Sequence, residues 1–227
     1  MKVLICDNID KLGEDFIAQC REVLPDWRRE QMERYKHVRG QVQCAVAFLL
    51  VWSLEFGVGS RDGQRPSAKK WIYNEFGKPY FDGRDDLFFS VSHCRNAVAA
   101  VIADEEVGID IEEISRYRES LVKYTLSEEE MGVDNSQLTV NEDPRFARND
   151  RFIRIWTRKE AAFKCYGTGI THDIKNVLKR GDLDIYSVRV GDDKWLSVAK
   201  KANWRNFDKN HEIPIEFIDV TKILKNL

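Results

Sequence analysis

Residues 107–114 read VGIDIEEI, a stretch in which isoleucines alternate with acidic side chains. Side chains alternate across an extended chain, so Ile109 and Ile111 share one face while Asp110 and Glu112 share the other. The apolar face predicts a core strand. The acidic face sets two carboxylates side by side, a repulsion that a divalent cation relieves. The same spacing also describes a strand with one solvated face. Working outward, Phe88, Phe89 and Val91, then AVAAVIA (97–103), predict two strands joined by SHCRN (92–96). Further upstream, Val42, Ala45, Val46, Leu49, Leu50 and Leu54 recur at three and four, which predicts a helix over 38–56 ended by GVGSRDG. A strand over 1–6 and a helix over 11–23 precede it. Downstream, Ser127 and Glu130 form a helix-start capping box, and the polar residues 132–150 predict a loop. A helix over 152–164 stops at GTG (167–169). DLDIYSVRV (182–190), WLSVAKKA (195–202) and IPIEFIDV (213–220) then alternate as strands, giving a mixed α+β chain.

With 227 residues the chain can form one large domain or two compact halves. Its 36 basic and 38 acidic residues nearly cancel, so overall charge points to neither a nucleic-acid coat nor a polybasic membrane protein. The opening MKVLICDNIDKLGEDF carries acids where a signal peptide needs an apolar run, and no later stretch approaches a membrane span of roughly 20 apolar residues. A cytoplasmic protein is expected. Five scattered cysteines without a CxxC argue against disulfides and zinc, and four histidines without a helical HxxxH argue against a transition metal.

The second acidic signal is WTRKEAAFK (156–164), in which Glu160 and Lys164 stand one helical turn apart. Glu160 also closes a capping box with Thr157, and Glu160 with Lys164 also reads as a surface pair. Three carboxylates and adjacent lysines are what a Mg²⁺-assisted reaction on a phosphate ester needs. A Cys-His thiol enzyme built on Ser92-His93-Cys94 is disfavoured, because neighbours on a strand point to opposite faces.

VGID, then residues 111–155, then WTRKEAAFK, joined by GKPYF (77–81) and FFSVSHC (88–94), resembles the signature of the 4′-phosphopantetheinyl transferases. The resemblance is to the larger two-lobed type that includes the surfactin synthetase activator, and it is strongest over residues 35–170. It implies an α+β fold of two similar lobes, a pseudo-duplication in which each lobe is a small antiparallel sheet packed on a long helix. The lobes would divide as residues 1–105 and 106–227, with the metal site on the second, and the internal duplication implies a monomer. The implied reaction moves 4′-phosphopantetheine from coenzyme A to a serine of an apo acyl or peptidyl carrier protein. A catalytically silent relative that binds the carrier or coenzyme A is the alternative.

By the same resemblance Asp110, Glu112 and Glu160 hold Mg²⁺, with Mn²⁺ able to replace it. Glu160 is also a candidate general base. Lys164 and Lys159 would pair with phosphate oxygens, Ser92 and His93 would lie at the coenzyme's phosphates, and Lys78 and Pro79 would lie along the nucleotide. Where better-known members carry an arginine, this chain has Gln43, so the 3′-phosphate would fall to Arg28, Arg29 or Arg39. A serine of the pattern is replaced by Cys94.

Overall fold

The computed structural model describes residues 1–57, 69–132, 144–202 and 213–225. Two sheets carry the architecture. The first, in the order β4 (Phe88–His93), β5 (Ala97–Ala103), β1 (Lys2–Asp7) and β9 (Ile215–Phe217), is antiparallel except for the β1–β9 edge pair. The second, in the order β6 (Val107–Glu113), β8 (Lys194–Lys201) and β7 (Leu183–Val190), is antiparallel throughout. A separate hairpin pairs β2 (Trp71–Tyr73) with β3 (Pro79–Phe81).

Strand pleat assigns the layers. On β1 and β5, Leu4, Cys6, Val98 and Ala100 pack with Val46, Phe48 and Leu49 of helix α3 (Val38–Phe56). The intervening Val3, Ile5, Ala99 and Val101 pack with Ile109, Ile111, Leu196 and Val198 of the second sheet. A strand buried on both faces reads as a continuous apolar run, which is why β5 is AVAAVIA. The outer face of the second sheet receives the long helix α6 (Pro144–Tyr166), with Ala161 and Cys165 against Ala199. The order is therefore α3, first sheet, second sheet, α6.

Gly108 permits the last contact. A Cβ there would stand 2.1 Å from the Ala161 carbonyl oxygen and 2.4 Å from the Cys165 nitrogen. Only glycine lets α6 lie directly on β6.

The sheets are also joined by side chains of β4. Ser90 Oγ accepts the Ile109 N–H at 3.2 Å and Ser92 Oγ accepts the Ile111 N–H at 3.3 Å, so two hydroxyls replace ladder carbonyls along the free edge of β6.

The remaining helices are α1 (Glu14–Val23), α2 (Asp26–Glu33), α4 (Glu119–Thr125), α5 (Glu128–Gly132) and α7 (Val220–Lys225). At α5 the capping box forms as expected: Ser127 N–H donates to Glu130 Oε2 at 2.8 Å and Glu130 N–H to Ser127 Oγ at 3.3 Å. The one expected at Thr157 does not. Residues 144–150, expected as loop, already belong to α6, so Glu160 is an interior helical residue; residues 133–143 of that loop lie outside the described ones. The chain end also departs from a plain strand. Only Ile215–Phe217 is extended, and it returns to pair in parallel with β1 before α7 packs beneath α3 through Val220, Ile223 and Leu224.

Candidate active site

The alternation of β6 brings Asp110 and Glu112 to the face that α6 covers, and the helical turn brings Glu160 and Lys164 to the same place. Asp110 is only 6% exposed, so the solvated-strand reading does not hold for it. Lys164 Nζ donates to Asp110 Oδ1 at 2.7 Å and to Ser92 Oγ at 2.9 Å, while Ser92 Oγ donates to Asp110 Oδ1 at 2.7 Å. With the Ile111 N–H, the single proton and both lone pairs of Ser92 are used.

The other two carboxyls are short of positive charge. Burial, with the charges of Asp110 and Glu112, pushes Glu160 up to about 7 against the pull of Lys164. Burial also pushes Glu112 up to about 7, helped by Asp110 and Glu113 and opposed by its contact with the Glu113 N–H at 2.9 Å and by Arg116. Glu160 therefore feels both other carboxyls, and Glu112 feels Asp110. His93 keeps an exposed edge on the cleft, while loss of surrounding water and then the Lys164 charge hold its pKa below the ordinary value. Among the described residues, no three His, Cys, Asp or Glu side chains are grouped so as to hold a metal ion as they stand. Glu112 instead reaches toward Arg116, at 3.7 Å.

Part of this cluster faces a cleft of about 430 Å³. Glu160, Lys164 and His93 line it, with Ser90, Lys78 and Pro79 on the wall. Also lining it, buried Arg28 lies 4.3 Å over the Trp71 ring and donates to Gln31 Oε1 at 2.7 Å and the Cys44 carbonyl at 2.6 Å. Its Nε, also buried, has no partner. Gln43 ties α3 to the β4–β5 turn by donating to the Cys94 carbonyl at 2.9 Å.

Not every expected residue comes to the cleft. Lys159 is fully buried on another face of α6, where its ammonium donates to the Thr125 carbonyl at 2.8 Å, Glu130 Oε2 at 2.7 Å and the Lys175 carbonyl at 3.3 Å. Five residues separate it from Lys164, about 140° around a helix, so the two lysines cannot serve one ligand. Arg39 lines a separate surface depression with Lys36 and His37, and Arg29 pairs with Asp26. Of the three arginines considered for the 3′-phosphate, Arg28 alone lines the cleft. Burial pushes the Cys94 thiol up to about 12, which removes the thiolate that a Cys-His enzyme needs. Sequence reasoning missed Gly108, Ser90, Asn74 and Glu106. Gly108 was signalled, because a lone glycine inside a strand marks a close backbone approach.

A family model described as the 4′-phosphopantetheinyl transferase superfamily matches residues 106–217, the stretch that carries β6 and α6. A 4′-phosphopantetheinyl transferase of Bacillus subtilis is 25% identical over 171 residues, covering 75% of this chain and 68% of that protein. The 4′-phosphopantetheinyl transferase gsp of Aneurinibacillus migulanus is 31% identical over 143 residues, 63% of this chain and 56% of its own. The 4′-phosphopantetheinyl transferase AcpT of Salmonella typhi is 36% identical over 97 residues, 42% of this chain and 48% of its own. The chain thus spans between about half and two thirds of the length of these relatives. The acidic face of β6 and the Glu160–Lys164 turn of α6 lie inside the matched stretch, and over it the chain is similar to the 4′-phosphopantetheinyl transferase superfamily.

Proposed function

We propose that the protein transfers 4′-phosphopantetheine from coenzyme A to a serine hydroxyl of an apo acyl or peptidyl carrier protein, with Mg²⁺ bound. One observation carries the reading: the Glu160–Lys164 turn of α6, held to Asp110 of β6 by the Lys164 ion pair, lines a cleft of about 430 Å³.

The donor set suits a hard divalent cation. All three side chains offer carboxylate oxygen, and two of them are raised by burial and by mutual repulsion, a condition that bound positive charge relieves. When bound, Mg²⁺ or Mn²⁺ would neutralise the diphosphate and the charge that develops on the leaving phosphate.

The chain's own groups supply the rest. Lys164, which rests on Asp110, would turn to a phosphate oxygen as a point charge once Asp110 is engaged elsewhere. His93 stands on the same wall as a donor to phosphate. Glu160 would take the proton of the carrier serine as its Oγ attacks the phosphorus next to pantetheine. The bond from that phosphorus to the bridging oxygen breaks, and adenosine 3′,5′-bisphosphate leaves. Arg28, stacked on Trp71 in the same cleft, would meet the nucleotide's own phosphate. Little covalent chemistry falls to the protein, and positioning with electrostatics does most of the work. Two sheet-and-helix layers in one chain support a duplicated, monomeric enzyme divided near residue 105.

The test is to incubate the protein with coenzyme A, Mg²⁺ and apo carriers of the fatty-acid and peptide types, and to weigh the carriers. Gain of one phosphopantetheine on either supports transfer; gain on neither contradicts it.

A further inference from the structure

The C-terminal end of α6 is capped from the opposite half of the molecule. Lys78 Nζ donates to the Cys165 carbonyl at 2.8 Å, and Asn74 Nδ2 donates to the Gly167 carbonyl at 2.7 Å. The last carbonyls of a helix have no intrahelical partner and carry partial negative charge, so an ammonium and an amide are suitable caps. Both donors come from the β2–β3 hairpin.

That hairpin is itself fixed. Asn74 Oδ1 accepts the Phe76 N–H at 3.0 Å and the Lys78 N–H at 2.9 Å, which holds the turn closed and aims Nδ2 outward. The Lys78 ammonium is buried and also pairs with Glu106, on the segment entering β6; Tyr80 Oη donates to the other Glu106 oxygen at 3.2 Å. Gly167, at φ 69°, turns the chain where a Cβ would meet Lys78 Cδ at 3.0 Å and Asn74 Nδ2 at 3.1 Å. One network therefore joins the hairpin, the entry to β6 and the exit of α6. Lys164 immediately precedes Cys165 on that helix, and Glu160 lies one turn before Lys164.

We propose that Lys78 and Asn74 are positioning residues: they cap α6, hold it in register against β6, and so set where Glu160 and Lys164 stand. On this account the Lys78 ammonium is not a ligand for the coenzyme's phosphates, because two of its three donors are committed to Glu106 and Cys165 inside the protein. The inference rests on the transfer activity proposed above.

It is tested by measuring kcat and KM for coenzyme A, with calorimetric binding of coenzyme A, in Lys78→Met, Lys78→Arg and Asn74→Ala. Displacement of reacting groups by a fraction of an ångström is costly, so Lys78→Met and Asn74→Ala should each lower kcat about tenfold while KM and Kd stay within about twofold. Lys78→Arg, which keeps a charged donor, should recover most of kcat. A rise of about tenfold in KM and Kd for Lys78→Met with kcat retained and Asn74→Ala silent would identify an anion ligand and overturn the proposal. Unchanged kcat in both would overturn it as well. Should Lys78→Met fail to fold, Lys78→Arg and Asn74→Ala decide. Should the wild-type protein transfer nothing, the function fails, yet the cap remains testable by amide hydrogen exchange: faster exchange at residues 163–167 in Asn74→Ala supports it, and unchanged exchange removes it.

Discussion

Lys164 Nζ stands 2.7 Å from Asp110 Oδ1, and this ion pair holds α6 to β6 with a positive charge where the cation is proposed to sit. Asp110 is nearly buried, whereas Lys164 keeps about a third of its side chain exposed. Lys164→Ala leaves a desolvated carboxylate with Ser92 as its remaining side-chain donor and should cost ~1–3 kcal/mol, at the lower end because solvent reaches the pair. Added Mg²⁺ should restore much of that loss. Thermal unfolding with and without MgCl₂ measures both, and a Tm deficit indifferent to Mg²⁺ would count against Asp110 as a ligand.

Gly108 and Gly13 offer a matched pair of substitutions. A Cβ at Gly108 runs into helix backbone at 2.1 Å, whereas one at Gly13 meets nothing within 4 Å. Gly108→Ala should therefore destabilise by ~3 kcal/mol or more, because backbone cannot rotate aside as a side chain can. Gly13→Ala should stay within ~0.5 kcal/mol. Urea denaturation of the two variants reads the difference directly, and equal stability would mean that α6 does not lie on β6 as described.

Lys159 separates structural from ligand roles. Its ammonium has three protein acceptors and no exposed surface, so Lys159→Met should lower stability by ~2–3 kcal/mol, since it takes a donor from two carbonyls and leaves Glu130 with the Ser127 N–H but without the ammonium. KM for coenzyme A should remain within about twofold. A stable variant with a strongly raised KM would return Lys159 to the phosphate site.

Metal-free protein should lose stability as pH rises. Glu112 and Glu160 carry folded values of about 7 against an ordinary 4.5, so between these pH values the folded chain binds more protons than the unfolded one. Stability from these groups is then fully present below about 4.5 and lost as pH passes about 7. Mg²⁺ favours the charged forms and should raise Tm more at pH 8 than at pH 5. Scanning Tm from pH 5 to 8, with and without Mg²⁺, tests the sign. Glu160→Gln should flatten the metal-free slope.

The site was legible where one element's period decides which residues share a face. Alternation in VGIDIEEI put Asp110 with Glu112, and the four-residue step put Glu160 with Lys164. The same rule, applied to Lys159, would have turned it away from Lys164. Helix α3 was legible from end to end because its apolar positions recur through its whole length. Helix α2 was not: WRREQME is charged, and it is buried through Met32 and through Arg28, whose partners Gln31, Cys44 and Trp71 come partly from elements distant in sequence. The start of α6 was hidden by the polar PRFARND, although a proline at a first helical position is a start signal. The return of β9 to β1 depends on pairing between distant segments, which local periodicity does not encode, and the strands of the hairpin at GKPYF are too short to show a period.

If the carboxylates of β6 and α6 form one phosphopantetheine-transfer site, intact-mass spectrometry of an apo carrier reads it out. With coenzyme A and Mg²⁺, the wild-type protein should add one phosphopantetheine to the carrier, and Asp110→Asn or Glu160→Gln, folded by circular dichroism, should add essentially none. An unmodified carrier with every carrier type tried, or full modification by folded Glu160→Gln, would contradict it.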